Sequence, residues 1–281
     1  DVTDQYTLVS NSNGILTVTR KDPSTTPGGF VDLIATFKVH DDVPSGTRFV
    51  NSGSGQLDNH TVSTNQAQIV TYNPSTAKHW VEGSQIVDDK TYIDGDNVHA
   101  QIEMSLPDPN KLAKPLTHVS VTGNWSQYRD YVTYETAHVY ENGQDVTDQY
   151  NIVNENNVVT ATRKNPGEAP TGSVKLVVDF KTKNDLPNGT KLYSTGSGQL
   201  NDRTVPTSTV KVLTYLQSTD KHWVEGSQDV DGKTYVDGDQ IHGRVTMSLP
   251  DPDELAKPLN YVSITDDYTN FADKVKYDGS H

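Results

Sequence analysis

A domain-length internal repeat runs through this sequence. The eight residues Lys78–Gln85 (KHWVEGSQ) return unchanged at Lys221–Gln228, 143 residues later. The run Met104–Pro109 (MSLPDP) returns at the same distance, beginning at Met247. Solenoid repeats are about 20–50 residues long, whereas a period of this length is that of a whole domain. The chain therefore contains about two periods of a bead-like array rather than one composite fold.

Within each period the apolar residues follow strand patterns. Residues 14–20, 31–39 and 98–106 alternate in polarity or are rich in β-branched side chains, as a half-buried sheet requires. Clusters of Gly, Pro, Asn and Asp separate these runs, and residues 109–116 have room for only one or two helical turns before Pro115. The sequence predicts an all-β chain of tandem antiparallel β-sandwich modules, with no helix beyond about three turns.

The charge balance argues against several classes of partner. Asp and Glu outnumber Lys and Arg by 37 to 23, which gives a net charge of −14. Nucleic-acid binding needs a basic face to displace counterions, and an acidic surface is repelled by anionic membranes. The apolar runs are too short to span a bilayer, and the absence of cysteine excludes disulfides and thiolate zinc sites. We expect no nucleic-acid partner and no membrane contact.

We find no catalytic combination of residues and therefore expect no enzyme and no cofactor. Calcium is an alternative, because residues 94–96 and 237–239 read Asp-Gly-Asp and place two carboxylates at alternate positions. Neither segment continues as an EF-hand, and Asp-Gly is first a turn signal. The nine histidines lack zinc-site spacing. The residues kept as a calcium hypothesis are Asp94, Asp96, Asp237 and Asp239.

Several ordered motifs resemble a known family. Val139–Gly143 (VYENG) leads into Asp145–Gln149 (DVTDQ), Asp266–Tyr268 (DDY) follows the expected strand 261–265, and Thr64-Asn65 enters a terminal strand. Together they resemble the C-terminal immunoglobulin-like modules of the antigen I/II adhesins. The KHWVEGSQ segment is more similar still to stalk modules of the related aggregation substance. The resemblance implies an immunoglobulin-like β-sandwich in each module.

The resemblance also implies a function at the cell surface. The chain would be a stalk segment of a wall-anchored Gram-positive adhesin, with its anchor signal outside this sequence. It would project an N-terminal adhesion domain for cell aggregation or host attachment, and its partners would be other domains of the same adhesin. Alternatively, the modules themselves bind a host glycoprotein or protein receptor. Residues 123–131 are then the expected patch, because exposed aromatic side chains anchor interfaces.

A module of this family begins near the lysine before Trp-Val. On that phase residues 1–76 are a C-terminal half-module, 77–219 a complete module and 220–281 an N-terminal half-module. The alternative is two permuted modules, 1–143 and 144–281. On the first phase the two halves are complementary, and we expect them to pair between neighbouring chains, as in domain swapping.

Many modules of this family carry an intramolecular Lys–Asn isopeptide bond. The reaction needs a neutral, buried amine, a carboxamide carbon, and a protonated acid that polarises the carbonyl oxygen. The matching lysine is Lys78 in the first copy and Lys221 in the second. The acid is Asp266, with Asp267 as the alternative, and the amide is Asn65.

The two copies differ at these positions. Gly123 stands where the second copy has Asp266, and Ser208 stands where the first copy has Asn65. The complete module should therefore leave Lys78 unlinked, whereas Lys221, Asp266 and Asn65 form a full set. In the alternative interpretation both lysines only lie beside the nearby tryptophans, with exposed amines.

Overall fold

The computed structural model describes residues 1–10, 13–41 and 43–280. These residues divide into two compact units, one from Asp1 to Thr71 and one from Tyr72 onward. The helices of the described residues are all short 3-10 turns of three residues, and the strand pairings are antiparallel with two exceptions noted below. No helix of the described part has the length and apolar character needed to cross a membrane. The predicted all-β class is confirmed.

In its described residues the first unit contains three separate antiparallel strand pairs. Its 3-10 helices are Thr3–Gln5 and Pro23–Thr25, and its strands are β1 (Tyr6–Ser10), β2 (Leu16–Arg20), β3 (Arg48–Asn51), β4 (Ser54–Leu57), β5 (His60–Ser63) and β6 (Ala67–Val70). β1 pairs with β2, β3 with β6, and β4 with β5.

The strand predicted at residues 31–39 is wrong for this unit, because the segment has no ladder partner and carries the exposed side chains of Ile34 and Phe37. Its counterpart in the second unit, β16 (Gly172–Thr182), is held between two neighbouring strands. Backbone groups need such partners to stay in a sheet.

The second unit opens with a β-sandwich. Its 3-10 helices are Pro109–Lys111, Thr147–Gln149 and Pro166–Glu168. Its strands are β7 (Thr76–Glu82), β8 (Gln85–Ile86), β9 (Thr91–Ile93), β10 (Asn97–Leu106), β11 (Val119–Asn124), β12 (Val132–Glu141), β13 (Gln144–Asp145), β14 (Tyr150–Glu155), β15 (Val158–Arg163), β16 (Gly172–Thr182), β17 (Lys191–Leu200), β18 (Arg203–Pro206) and β19 (Val210–Tyr215).

Two sheets face each other in this sandwich. One has the order β13-β12-β16-β10-β7-β8, and the other has the order β14-β15-β11-β17-β19-β9 with β18 attached to β17. Only β9 and β19 run parallel among these pairs. β10, expected at 98–106, shows the predicted alternation, with every second side chain buried between the sheets. The core centres on Trp80, whose ring centroid lies 5.5 Å from that of Tyr128.

The last segment of the second unit holds a small sheet, and the described residues cover one of its faces only in part. Its strands β20 (Thr219–Glu225), β21 (Gln228–Asp229) and β22 (His242–Met247) pair in the order β21-β20-β22, and its 3-10 helices are Pro252–Glu254 and Thr269–Phe271. β20 and β22 repeat the pairing of β7 with β10. Residues 261–265, expected as a strand, have no ladder partner, and Tyr261 is exposed. In the complete sandwich the facing sheet includes β14, β15, β17, β18 and β19, and counterparts of these strands do not follow in the described residues.

Candidate functional site

Lys221 and Asp266 meet on the partly covered face of the small sheet. β20 presents Lys221 opposite Val245 of β22, and the lysine Nζ lies 2.5 Å from Asp266 Oδ2. The same ammonium group lies 5.7 Å from the centroid of the Trp223 ring. Both charged side chains are a little under half exposed. The structure therefore brings together two of the three residues that the isopeptide reaction requires.

A glycine leaves room for this pair. A Cβ atom built on Gly243 would lie 2.8 Å from Lys221 Nζ and 3.3 Å from Asp266 Oδ2. Such contacts are too close, so a methyl group there would have to displace the ammonium group. The equivalent residue in the complete sandwich is Ala100, whose side chain is buried. Gly243 therefore leaves room for a lysine–acid pair, whereas the equivalent Ala100 has a methyl group at that place.

Asp267, the alternative acid, stabilises a turn. Its Oδ1 accepts hydrogen bonds from the backbone N–H of Thr269 at 2.9 Å and from the Thr269 hydroxyl at 2.8 Å. These bonds hold the pKa of the Asp267 carboxyl below its usual value, so it stays ionised. The carboxylate caps a turn and does not contact Lys221. Asp266 is therefore the acid that the geometry favours.

Lys78, the counterpart of Lys221, is buried in the complete sandwich. Its side chain is 1% exposed. Burial lowers the pKa of the amine to about 7, and the charge of Asp88 only partly opposes this effect. Within the described residues its Nζ makes no hydrogen bond or ion pair. The interpretation in which both lysines expose their amines is wrong for Lys78, and a large fraction of this amine is neutral at neutral pH.

The space that the acid would occupy near Lys78 is filled by hydrocarbon. Ile102 pairs opposite Lys78, and a Cβ atom built on Gly123 would lie 2.9 Å from Ile102 Cδ1. The second copy has the shorter Val245 at the position of Ile102. Three positions thus differ together between the copies: 100 and 243, 102 and 245, 123 and 266. Each difference favours a lysine–acid pair in the second copy and a tightly packed core in the first.

The position that would supply the asparagine side chain, Asn65 in one copy and Ser208 in the other, follows the hairpin that ends with β18 in the complete sandwich. In the complete sandwich Ser208 follows this strand, and the Thr76 hydroxyl at the start of β7 donates to the Pro206 carbonyl at 2.8 Å. This contact places the segment beside the strand that carries Lys78. Asn65 follows β5 in the first unit, is exposed, and donates to the Gln66 carbonyl at 3.3 Å. Asn65 and Lys221 belong to different compact units.

Three of the Asp-Gly-Asp carboxylates accept backbone hydrogen bonds, Asp94 from a different loop and Asp96 and Asp239 from within their own. Asp94 accepts hydrogen bonds from the backbone N–H groups of Asp185 and Leu186, and Asp96 accepts one from Ile93 at 3.2 Å. Asp239 accepts the corresponding bond from Val236 at 2.9 Å. Among the described residues no group of three or more His, Cys, Asp or Glu side chains is arranged to hold a metal ion. Calcium at Asp94, Asp96, Asp237 and Asp239 stays a hypothesis.

Two of the three aromatic side chains in segment 123–131 are covered by the rest of the sandwich. Tyr128 is 1% exposed, and its hydroxyl lies 3.2 Å from that of Ser194. Trp125 is only partly exposed and packs against Phe180 with ring centroids 5.5 Å apart. The expectation that these aromatic residues form an exposed patch is therefore wrong for Trp125 and Tyr128. Tyr131 alone of the three is exposed.

Comparison with solved structures finds similar folds among streptococcal antigen I/II-family proteins. The C-terminal domain of the Streptococcus agalactiae AgI/II polypeptide BspA matches with a TM-score of 0.63 and 14% sequence identity, over 76% of each chain. The chain has the fold of an antigen I/II C-terminal domain.

The C-terminal domain of the Streptococcus pyogenes antigen I/II-family protein AspA matches with a TM-score of 0.52 and 14% identity, over 60% of this chain and 55% of that one. No family model and no curated protein sequence matches the chain. The similarity is thus one of fold, and it confirms the β-sandwich class that the motifs predicted.

Sequence reasoning missed the residues around the lysines. The two copies differ at Ala100 and Gly243 and at Ile102 and Val245. These are small changes between apolar residues, and neither belongs to a recognisable motif. A position-by-position comparison of the two copies shows that they change together with 123/266. Only the structure shows that all three surround one lysine.

Proposed function

We propose that this chain is a non-catalytic stalk segment of a wall-anchored Gram-positive surface adhesin, which projects an N-terminal adhesion domain away from the cell. The observation that carries the proposal is a domain-length repeat of a sandwich with the antigen I/II C-terminal fold. Repeated beads of one type add length, as a spacer requires. Residues 77–219 are one complete bead on this proposal, and 1–76 and 220–281 are halves of further beads.

The cross-link belongs to the second bead. Lys221 Nζ would attack the carboxamide carbon of an asparagine at the Asn65 position, while a protonated Asp266 donates a proton to the carbonyl oxygen. The new Nζ–Cγ bond forms, the Cγ–Nδ2 bond breaks, and ammonia leaves. Covering the small sheet with a second half-module would bury Lys221 as Lys78 is buried. Burial favours the neutral amine and the protonated acid, the two states that the reaction needs.

The exposed apolar faces support pairing of half-modules. In the first unit Phe30, Ile34 and Phe37 are exposed, and in the last segment Val236 and Tyr261 are exposed. Large exposed apolar surfaces and unpaired sheet edges favour association. We propose that the 1–76 half of one chain covers the 220–281 half of another, which brings Asn65 to Lys221 and Asp266.

Peptide mapping of the full chain tests the cross-link. After incubation at high concentration, we expect a peptide joining Lys221 to Asn65 with the mass of one ammonia lost. Asp266→Ala should abolish this peptide, whereas the matched change Lys78→Met should leave it. A cross-linked peptide that contains Lys78 would contradict the assignment.

A binding assay separates the stalk from a receptor-binding role. The immobilised chain should retain no specific component from host-cell surface extracts, because a spacer has no ligand of its own. Saturable capture of one glycoprotein or protein, competed by free chain, would support the receptor alternative instead.

A further inference from the structure

The loop Asp251–Lys257 closes an edge of the complete sandwich. β9 is the terminal strand of its sheet, so one side of its backbone has no strand partner. Leu255 forms a parallel bridge with Thr91, and the Ala256 N–H donates to the Thr91 carbonyl at 2.8 Å. Ala256 is buried as part of the sandwich core. The loop of one bead therefore extends the sheet of the preceding bead, as added strands do in peptide recognition.

A lysine anchors this joint. Lys257 Nζ donates to the Asn97 carbonyl at 2.8 Å and lies 3.2 Å from Glu82 Oε2. It also lies 5.3 Å from the centroid of the Tyr92 ring, where the negative face of the aromatic ring attracts a cation. Burial raises the pKa of the Asp96 carboxyl, and the positive charge of Lys257 opposes this effect only in part. We call the site formed by Glu82, Tyr92 and Asp96 the lysine notch.

The first copy carries the same loop without a partner. Leu112–Lys114 repeats the Leu-Ala-Lys of 255–257 and follows an equivalent 3-10 turn. Asp108 caps this turn through the Asn110 N–H at 3.0 Å, as Asp251 does through Asp253 at 2.9 Å. Ala113 and Lys114 are nevertheless exposed, and within the described residues neither the Ala113 N–H nor the Lys114 amine has a hydrogen-bond partner.

The second copy carries the notch without a lysine from a following bead. Tyr235 donates to Glu225 at 3.3 Å, as Tyr92 donates to Glu82 at 3.4 Å. Asp239 accepts from the N–H of Val236, as Asp96 does from the N–H of Ile93. The residues that would receive a lysine are therefore already arranged as in the engaged notch, and they carry the complementary negative charge.

We propose that Leu112–Lys114 and the notch formed by Glu225, Tyr235 and Asp239 are two open halves of this joint, each built to dock onto another module of the same type. Lys114 would enter the notch of the preceding bead, and the 225–239 notch would take the lysine of the following bead. This inference rests on the proposed array and adds how neighbouring beads are held relative to each other. Each bead is fixed to the next through a shared sheet edge, so the stalk is a rod of defined register.

A tandem fusion of two complete chains tests the docking. Residue 281 is equivalent to 138 and residue 1 to 145, so the linker is the sequence of Val139–Gln144. The middle module is then complete, and its Glu225 notch lies beside Lys114 of the following copy. In hydrogen exchange with mass spectrometry, the peptide 109–116 occurs twice in the fusion. We expect it to show two populations, one exchanging as in the single chain and one at least about tenfold slower.

Matched variants identify the contact. Tyr235→Ala in the N-terminal chain of the fusion should remove the slowly exchanging population. The same change in the C-terminal chain should leave that population, because no bead follows that notch. A single fast population in the unmodified fusion would overturn the inference, and the modules would then be flexibly linked beads that still serve as a spacer.

A second measurement does not depend on exchange rates. The chain has no cysteine, so a pair can be introduced without competing thiols. Thr91→Cys with Leu255→Cys in the single chain provides the reference yield of disulfide for the joint that the structure shows. In the fusion, one cysteine is placed at Thr234 of the N-terminal chain and the other at Leu112 of the C-terminal chain. This pair should form a disulfide in the same yield as the reference pair. Formation of the reference bond without the second one would also overturn the inference.

Discussion

Lys221 Nζ lies 2.5 Å from Asp266 Oδ2, and the glycine at 243 leaves space for both groups. The equivalent lysine of the complete sandwich, Lys78, pairs opposite Ile102, and Gly123 stands where the second copy has Asp266. Two copies of one module therefore hold the same lysine in opposite states. One is paired with a carboxylate, and the other is buried with its pKa lowered to about 7.

We expect Lys78→Met to stabilise the complete module and to change its pH dependence. The pKa of Lys78 is about 7 in the folded protein against 10.5 for an ordinary lysine, so the unfolded chain binds more protons between these two pH values. Stability is then fully present above the unfolded pKa and is lost as the pH falls from about 10.5 to about 7. A tenfold change in an equilibrium corresponds to about 1.4 kcal/mol, so the cost at pH 7 is on the order of 4 kcal/mol.

Urea unfolding of both proteins at several pH values checks this prediction. The rise in stability of the parent chain above pH 7 should be absent in Lys78→Met. Lys221→Met is the control, because its side chain is little more than half covered. An equal effect of both substitutions would show that burial of Lys78 is not the cause.

We expect Gly123→Asp to destabilise the complete module when introduced alone. The new Cβ would lie 2.9 Å from Ile102 Cδ1, and overpacking a core costs about 1–3 kcal/mol. Adding Ala100→Gly and Ile102→Val reproduces the second copy and should recover most of that loss, because the new carboxylate can then reach Lys78. Denaturant unfolding of the single and triple variants measures the recovery. If the triple variant is less stable than Gly123→Asp alone, the three positions do not act together.

We expect the triple variant with Ser208→Asn added to form the bond that the parent module lacks. It would then contain the buried amine, the acid and the amide in one sandwich. Intact mass should fall by one ammonia, and peptide mapping should join Lys78 to position 208. The same variant with Lys78→Met should lose nothing. Absence of the linked peptide from a correctly folded variant would show that position 208 does not reach Lys78.

We expect Lys257→Ala to loosen the joint and Lys114→Ala to leave it unchanged. Lys257 is partly exposed, and an ion pair such as the one it forms with Glu82 contributes about 0.2–1 kcal/mol. Exchange of the Ala256 amide, which donates to Thr91, should therefore accelerate by roughly fivefold at most, since 1 kcal/mol is about that factor. Equal acceleration by both substitutions would indicate a general loss of stability instead.

The repeat, the strand periodicity and the turn residues were enough to predict the β-sandwich. β10 shows why, because its alternating side chains leave only one way to bury an apolar face. The same reasoning was wrong at 31–39, where the residues suit a strand but no neighbour supplies its hydrogen bonds. Strand propensity is a property of the segment, whereas a strand is a property of a pair.

The sequence by itself determined the fold class and the positions where the two copies differ. Only the tertiary structure decided what those differences mean. Burial of Lys78, the space at Gly243 and the docking of Lys257 at Tyr92 each depend on residues distant in sequence. The pKa of an amine and the room for a carboxylate depend on the atoms that surround them in space, and those atoms meet only when the sheets pack together.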